Sequence, residues 1–119
     1  MSDIRILIVE DESLIAMMLE DFVESLGYVP VKIVDSVEAG LAALEEETFD
    51  VAILDVNLSN REPSWPIADA LEASGKPFLF TSGGDIEPPP ERHRERLFLE
   101  KPFTLEGVDE AVKTVIAQQ

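Results

Sequence analysis

Cysteine is absent from this 119-residue chain, which excludes a disulfide framework and any thiolate metal site. Long apolar runs are missing too: 45% of the residues are hydrophobic, yet no stretch approaches the length a membrane-spanning helix needs. The amino terminus, MSDIRILIVEDE, has no cationic region followed by an apolar stretch and a small-residue cleavage site, so nothing in it directs secretion. A cytoplasmic protein with no membrane contact is the expectation. Cations are scarce, with 9 Lys and Arg against 25 Asp and Glu and a formal net charge of -16. Phosphate binding relies on Lys and Arg displacing counterions, so this balance argues against nucleic acid or anionic lipid as a partner. Much of the acid lies on predicted helix faces, such as Glu45, Glu46 and Glu47, where it is simply solvated. Histidine occurs once, and His93 sits among charged residues, where it is expected to be solvated as well.

What the sequence has is a repeating alternation. IRILIV (4–9) reads as a buried strand, and Leu14, Met17, Met18, Phe22 and Leu26 follow at helical spacing until Gly27 stops the helix. YVPVKIV (28–34) is strand-like, with Pro30 marking an edge position or the start of the strand. Ser36 is a good N-cap for a helix through Glu47, with Val37, Leu41 and Leu44 turned inward. VAILD (51–55) is a further strand, a helix is expected over Pro66–Ala73, and PFLFTS (77–82) is the fourth strand. Residues 83–95, GGDIEPPPERHRE, read as irregular, because three prolines in a row exclude a regular helix through them, although a short one can begin at Pro90. RLFLE (96–100) is the fifth strand, and Thr104 caps a final helix through Ile116. Strands apolar on both faces and alternating with helices predict a doubly wound α/β domain with a parallel sheet, and 119 residues fit one domain, 1–119, with no output domain attached.

In such sheets ligands sit beyond the carboxyl ends of the strands. That rule collects Glu10 and Asp11 after strand one, Asp55 at the end of strand three, Thr81 and Ser82 after strand four, and Glu100 and Lys101 after strand five. The run Glu10-Asp11-Glu12 raises a physical problem. Two like charges at about 4 Å repel by roughly 4 kcal/mol at an effective dielectric near 20, and a divalent cation would offset this. Blander readings exist for each residue: Asp11 or Ser13 as a helix cap, Lys101 as a solvated surface lysine, Ser82-Gly83-Gly84 as a turn, Phe98 as core. Trp65, in SNREPSWPI, reads as ordinary packing at the start of the third helix, with a partner contact or a cover over the pocket as alternatives.

The pieces ILIVEDE, VAILDVNL, PFLFTSGG and LFLEKPF, in this order and at these intervals, resemble the receiver domain of two-component response regulators over nearly the whole chain. DVNL, PFLFTSGGD and the proline-rich segment before EKPF further resemble a subgroup of single-domain receivers whose fourth-strand motif reads approximately FATGYG. The resemblance implies a flavodoxin-like sheet of strand order 2-1-3-4-5, with the fourth helix here short or irregular. It implies that Asp55 is the phosphoacceptor. Mg²⁺ would be bound by Asp11, Asp55 and the backbone carbonyl of Asn57, with Glu10 acting mainly through water. Lys101 would pair with a phosphoryl oxygen, and Lys101-Pro102 would be cis. The family places its switch hydroxyl five residues after the position of Pro77, which selects Ser82 over Thr81, and Phe98 takes the place of the aromatic that follows it inward. The implied partners are a sensor histidine kinase or histidine phosphotransfer protein and a downstream protein target; the lone His93 makes this chain a poor phosphodonor. Gly84 leaves water a path to Asp55, which leans towards a short-lived acyl phosphate.

Three rival readings of these residues exist. A flavin carrier of this fold class needs hydroxyls and glycine after strand one, where ILIVEDES presents acids. A dehalogenase-type phosphatase resembles a D-x-D pattern, but DVN places the amide of Asn57 at the second acid. A receiver-like module that binds a partner without phosphorylation is the alternative that the irregular fourth-helix segment supports.

Overall fold

The computed structural model describes residues 3–58, 62–83 and 89–118. Five parallel strands form the main sheet: β1 (Arg5–Val9), β2 (Val29–Val34), β3 (Val51–Asp55), β6 (Phe78–Ser82) and β7 (Phe98–Glu100), in the spatial order β2-β1-β3-β6-β7. This is the predicted 2-1-3-4-5 arrangement once two short strands are set aside. Those two, β4 (Asn57–Leu58) and β5 (Glu62–Pro63), pair antiparallel in a small hairpin that the sequence reading did not anticipate.

Strand periodicity divides the core. On one face of the sheet Leu7, Val9, Ala52, Leu54, Phe78 and Phe80 pack against α2 (Val37–Glu46) and α3 (Trp65–Ala73). On the other, Ile6, Ile8, Val51, Ile53 and Leu79 pack against α1 (Ser13–Ser25) and α4 (Leu105–Ala117). Burial on both faces is what forces helices onto both sides of a parallel sheet. Pro30 lies in the edge strand β2, where its missing N–H costs least, and the β1–β2 register shifts beside it.

Helix ends follow local chemistry. Ser36 accepts a hydrogen bond from the Ala39 N–H, and Thr104 from the Gly107 N–H, so α2 and α4 begin as expected. Gly27, at φ +86, ends α1 in the left-handed region. The buried stripe of α1 differs from the expectation: Ala16, Leu19 and Val23 are buried, while Leu14 is 81% and Met17 58% exposed. Leu41 of α2 is likewise exposed rather than inward. After β6 the described part of the irregular segment, residues 83 and 89–95, holds a single 3₁₀ turn at Glu91–His93 and no α-helix. Gly84, invoked for water access, lies outside the described residues. No helix among the described residues is long and apolar enough to cross a membrane.

Candidate functional site

The carboxyl ends of β1, β3, β6 and β7 bring Glu10, Asp55, Ser82 and Lys101 to one rim. The Glu10 N–H donates to the Val34 carbonyl at 2.9 Å, which keeps the chain against β2 one residue past the strand. This turns the Glu10 side chain into the protein, where Oε2 accepts the Glu12 N–H at 3.1 Å and Oε1 lies 2.9 Å from Lys101 Nζ. Lys101 Nζ is also 3.4 Å from Asp55 Oδ2. The Lys101 N–H donates to the Ser82 carbonyl at 2.9 Å, and the cis Lys101-Pro102 bond follows. Asp55 stands in register with Thr81 across β3 and β6, and both Thr81 and Ser82 are buried. Asp11, half-buried, completes the cluster: one carboxylate oxygen each from Glu10, Asp11 and Asp55 lie within 4.8 Å of one another. Asn57 is exposed at the start of β4. Phe98 is half-buried and stacks on Phe80, with ring centroids 4.9 Å apart.

The capping alternative does not hold. The N-cap position of α1 is Glu12, with no side-chain cap hydrogen bond, so neither Asp11 nor Ser13 is occupied in capping. Lys101 is not a freely solvated lysine either, since its side chain is only 14% exposed and paired twice.

The electrostatics are those of crowded acids sharing one cation. Burial and then the neighbouring Glu10 push Asp55 up to about 7, although Lys101 pulls the other way. Burial works against the charge on Lys101, but contact with Glu10 and Asp55 outweighs it and its pKa is raised. An acidic pocket of hard oxygen donors with excess negative charge suits Mg²⁺, which favours carboxylates and usually keeps several waters.

His93 is not the solvated residue that its charged neighbours suggest. It is fully buried, its Nε2 lies 2.7 Å from Asp69 Oδ1, and its ring stacks on Trp65 at 5.8 Å. Trp65 is half-buried and meets Phe80 edge-on at 5.2 Å, which is packing at the start of α3. The residues flanking His93, Arg92 and Arg94, are exposed, so the local charge said nothing about the histidine between them. No short-range signal links it to Asp69, 24 residues away.

A doubly wound parallel sheet that gathers acids, a lysine and a hydroxyl at its carboxyl rim defines an α/β protein of the flavodoxin-like type with an acidic site. The Response regulator receiver domain family matches residues 6–62. The solution structure of SdrG from Sphingomonas melonis Fr1 is 50% identical, covers 98% of this chain and 99% of its own, and has a TM-score of 0.88. The BeF3-activated conformation of SdrG, from Pseudomonas melonis Fr1, gives 0.81 at the same identity and coverage. The response regulator PhyR from Brucella abortus is 28% identical, with a TM-score of 0.81 over 98% of this chain and 49% of that one. Transcriptional activator protein IrlR of Burkholderia pseudomallei is 37% identical over 82 residues, 68% of this chain but only 35% of IrlR, so the match spans about a third of that curated relative. The chain belongs to the response regulator receiver domain family, whose members are phosphorylation-based signalling switches rather than conventional enzymes.

Proposed function

We propose that Asp55 accepts a phosphoryl group from the phosphohistidine of a sensor histidine kinase or a histidine phosphotransfer protein, and that the modified site switches a surface read by a downstream protein. The observation that carries this reading is the triad Glu10, Asp55 and Lys101, with the lysine 2.9 Å from one acid and 3.4 Å from the other. An Asp55 oxygen attacks phosphorus; the new P–O bond forms as the P–N bond breaks, and the electron pair leaves with the imidazole nitrogen. Such transfer is catalysed mainly by positioning and charge neutralisation. Lys101 Nζ neutralises one phosphoryl oxygen, and the Ser82 hydroxyl donates to another. Ser82 thereby exchanges a local contact for one made only in the phosphorylated state, and Phe98 follows it inward. Phe98 has no hydroxyl, so packing alone separates its two positions. Asp11, Asp55 and the Asn57 carbonyl would hold Mg²⁺, with Glu10 acting through water, and the ion supplies positive charge against the phosphoryl oxygens.

Intact mass after incubation with acetyl phosphate and Mg²⁺ tests this. Wild type is expected to gain one phosphoryl group and Asp55→Asn none. If a purified histidine kinase also fails to label wild type, phosphorylation-independent partner binding becomes the better reading. Mg²⁺ alone should stabilise wild type by about 2.7 kcal/mol when the ion is at a hundred times its dissociation constant, and raise its melting temperature accordingly. An unchanged melting temperature at millimolar Mg²⁺ would remove the metal from the mechanism.

A further inference from the structure

Two carboxylates one turn apart on α3 grip the segment that stands between β6 and β7. Asp69 receives Arg92 through two contacts, Nε to Oδ1 at 2.7 Å and a second guanidinium nitrogen to Oδ2 at 3.1 Å. The same Oδ1 lies 2.7 Å from His93 Nε2. Glu72 lies 3.8 Å from both His93 Nδ1 and an Arg96 guanidinium nitrogen, and the Arg96 guanidinium sits 4.3 Å above the centre of the Phe78 ring. The Arg92 contact holds the Asp69 carboxyl below the ordinary carboxylate range, with burial opposing and His93 adding to the lowering. Of this clasp only the histidine is fully buried, and it touches the rings that matter for switching. Its ring is 5.8 Å from Trp65 and from Phe80, and Phe80 in turn stacks on Phe98 at 4.9 Å. The clasp therefore bears, through one intervening ring, on the side chain whose position separates the two states in the proposed function.

We propose that the Asp69–Arg92–His93 clasp is a conformational latch: it holds residues 89–97 on α3 in the unphosphorylated protein, and its opening is coupled to phosphorylation of Asp55 through Phe80 and Phe98. The inference rests on the receiver reading of Asp55. Its physical content is linkage. If the phosphorylated state needs Phe98 to shift against Phe80, the rings beneath His93 repack, and a latch that opposes repacking is a free-energy cost on phosphorylation. Removing the latch must then favour the phosphorylated state by the same amount that phosphorylation favours opening. A purely structural clasp would not show this reciprocity.

Beryllofluoride with Mg²⁺ serves as the stable phosphoryl mimic. Its affinity, measured by titration, and amide hydrogen exchange across 89–97 are compared in wild type, Asp69→Ala and Arg92→Ala. Arg92 is exposed, so its replacement keeps the test informative if Asp69→Ala fails to fold. Asp109→Ala, which breaks the Tyr28–Asp109–Lys113 contacts on the far side of the sheet, is the control. In both latch variants exchange across 89–97 should rise before any mimic is added, and beryllofluoride should bind roughly fivefold more tightly or better, the low end of ordinary coupling. The control should change neither. Faster exchange with unchanged or weaker binding overturns the coupling and leaves a structural clasp. No change in either quantity overturns the latch altogether. Wild type that does not bind beryllofluoride sinks the receiver reading of Asp55, and the latch with it, whereas wild type that binds beside unchanged variants sinks the latch alone.

Discussion

Asp55→Asn is expected to melt higher than wild type at pH 8 in chelator, even though it removes the proposed phosphoacceptor. The sign follows from the direction of the shift. The folded protein holds the Asp55 proton up to about pH 7, against an ordinary value of 3.8, because the carboxyl is buried beside Glu10. A group whose folded pKa is raised contributes stability that is fully present below its unfolded pKa and is lost as pH rises through the folded one. The window is therefore pH 4 to 7, and above it the ionised carboxylate is a penalty on the fold. Its ceiling is about 4 kcal/mol, from about three pH units at 1.36 kcal/mol each. Sharing of charge with Glu10 and Lys101 should reduce the observed value to a few kcal/mol, at about 4 °C per kcal/mol for a domain of this size. Asparagine keeps the shape without the charge, and Lys101 keeps Glu10 as its partner at 2.9 Å. The variant's advantage should shrink as pH falls to 5 and should also shrink when Mg²⁺ is added, because the ion relieves wild type of the same repulsion. Thermal melts at pH 5, 6, 7 and 8, with and without Mg²⁺, measure this. An advantage that did not vary with pH would mean that Asp55 is not the strained group.

The residues that strain one another at this site were all visible in the sequence, but their distances were not. Asp55 announces itself as a charge at the end of VAILD, a strand buried along its whole length. Glu10 and Asp11 stand out in the same way, and a parallel sheet covered by helices follows from strands apolar on both faces, whereas the strand order came from the family resemblance alone. Ser36 and Thr104 name their helix starts because capping is a contact between residues three apart. Contacts that close over long separations carry no such signal. Lys101 meets Glu10 across most of the chain, and nothing near either residue says that they will be 2.9 Å apart. His93 failed for the reverse reason: its neighbours are charged, but a 3₁₀ turn points them outward and the histidine inward, and the partner that satisfies it is on another helix. In α1 two apolar stripes overlap, and which is buried depends on how closely the helix approaches the sheet. Ala16 permits the close approach that leaves Leu14 and Met17 in water. The β4–β5 hairpin has two residues per strand, too few for any period to register.

Lys101→Ala should be the most damaging single change at the rim, in stability and in chemistry together. Its ammonium is the cation between Glu10 and Asp55, and removing one partner of a buried pair leaves the others uncompensated at a cost of about 3 kcal/mol. The loss must depend on pH. Lys101 holds the Asp55 pKa down, so without it Asp55 takes up its proton at still higher pH. The destabilisation should therefore be largest at pH 8 and smaller at pH 5, where the lost contact with Glu10 remains. It should also be non-additive: in Lys101→Ala/Asp55→Asn one of the stranded charges is gone, and the double variant should melt well above the single lysine variant. Added Mg²⁺ should rescue Lys101→Ala more than it stabilises wild type, since the ion replaces positive charge that wild type already has. Phosphorylation by acetyl phosphate should not be rescued in parallel, because the lysine also neutralises a phosphoryl oxygen. Losing one such group typically slows chemistry by roughly a hundredfold or more. Melting curves across pH, set beside initial phosphorylation rates in saturating Mg²⁺, separate the two roles. If Lys101→Ala melted like wild type at every pH, the three acids would be solvated rather than strained, and the electrostatic account of the pocket would fail while the assignment of Asp55 as acceptor could still stand.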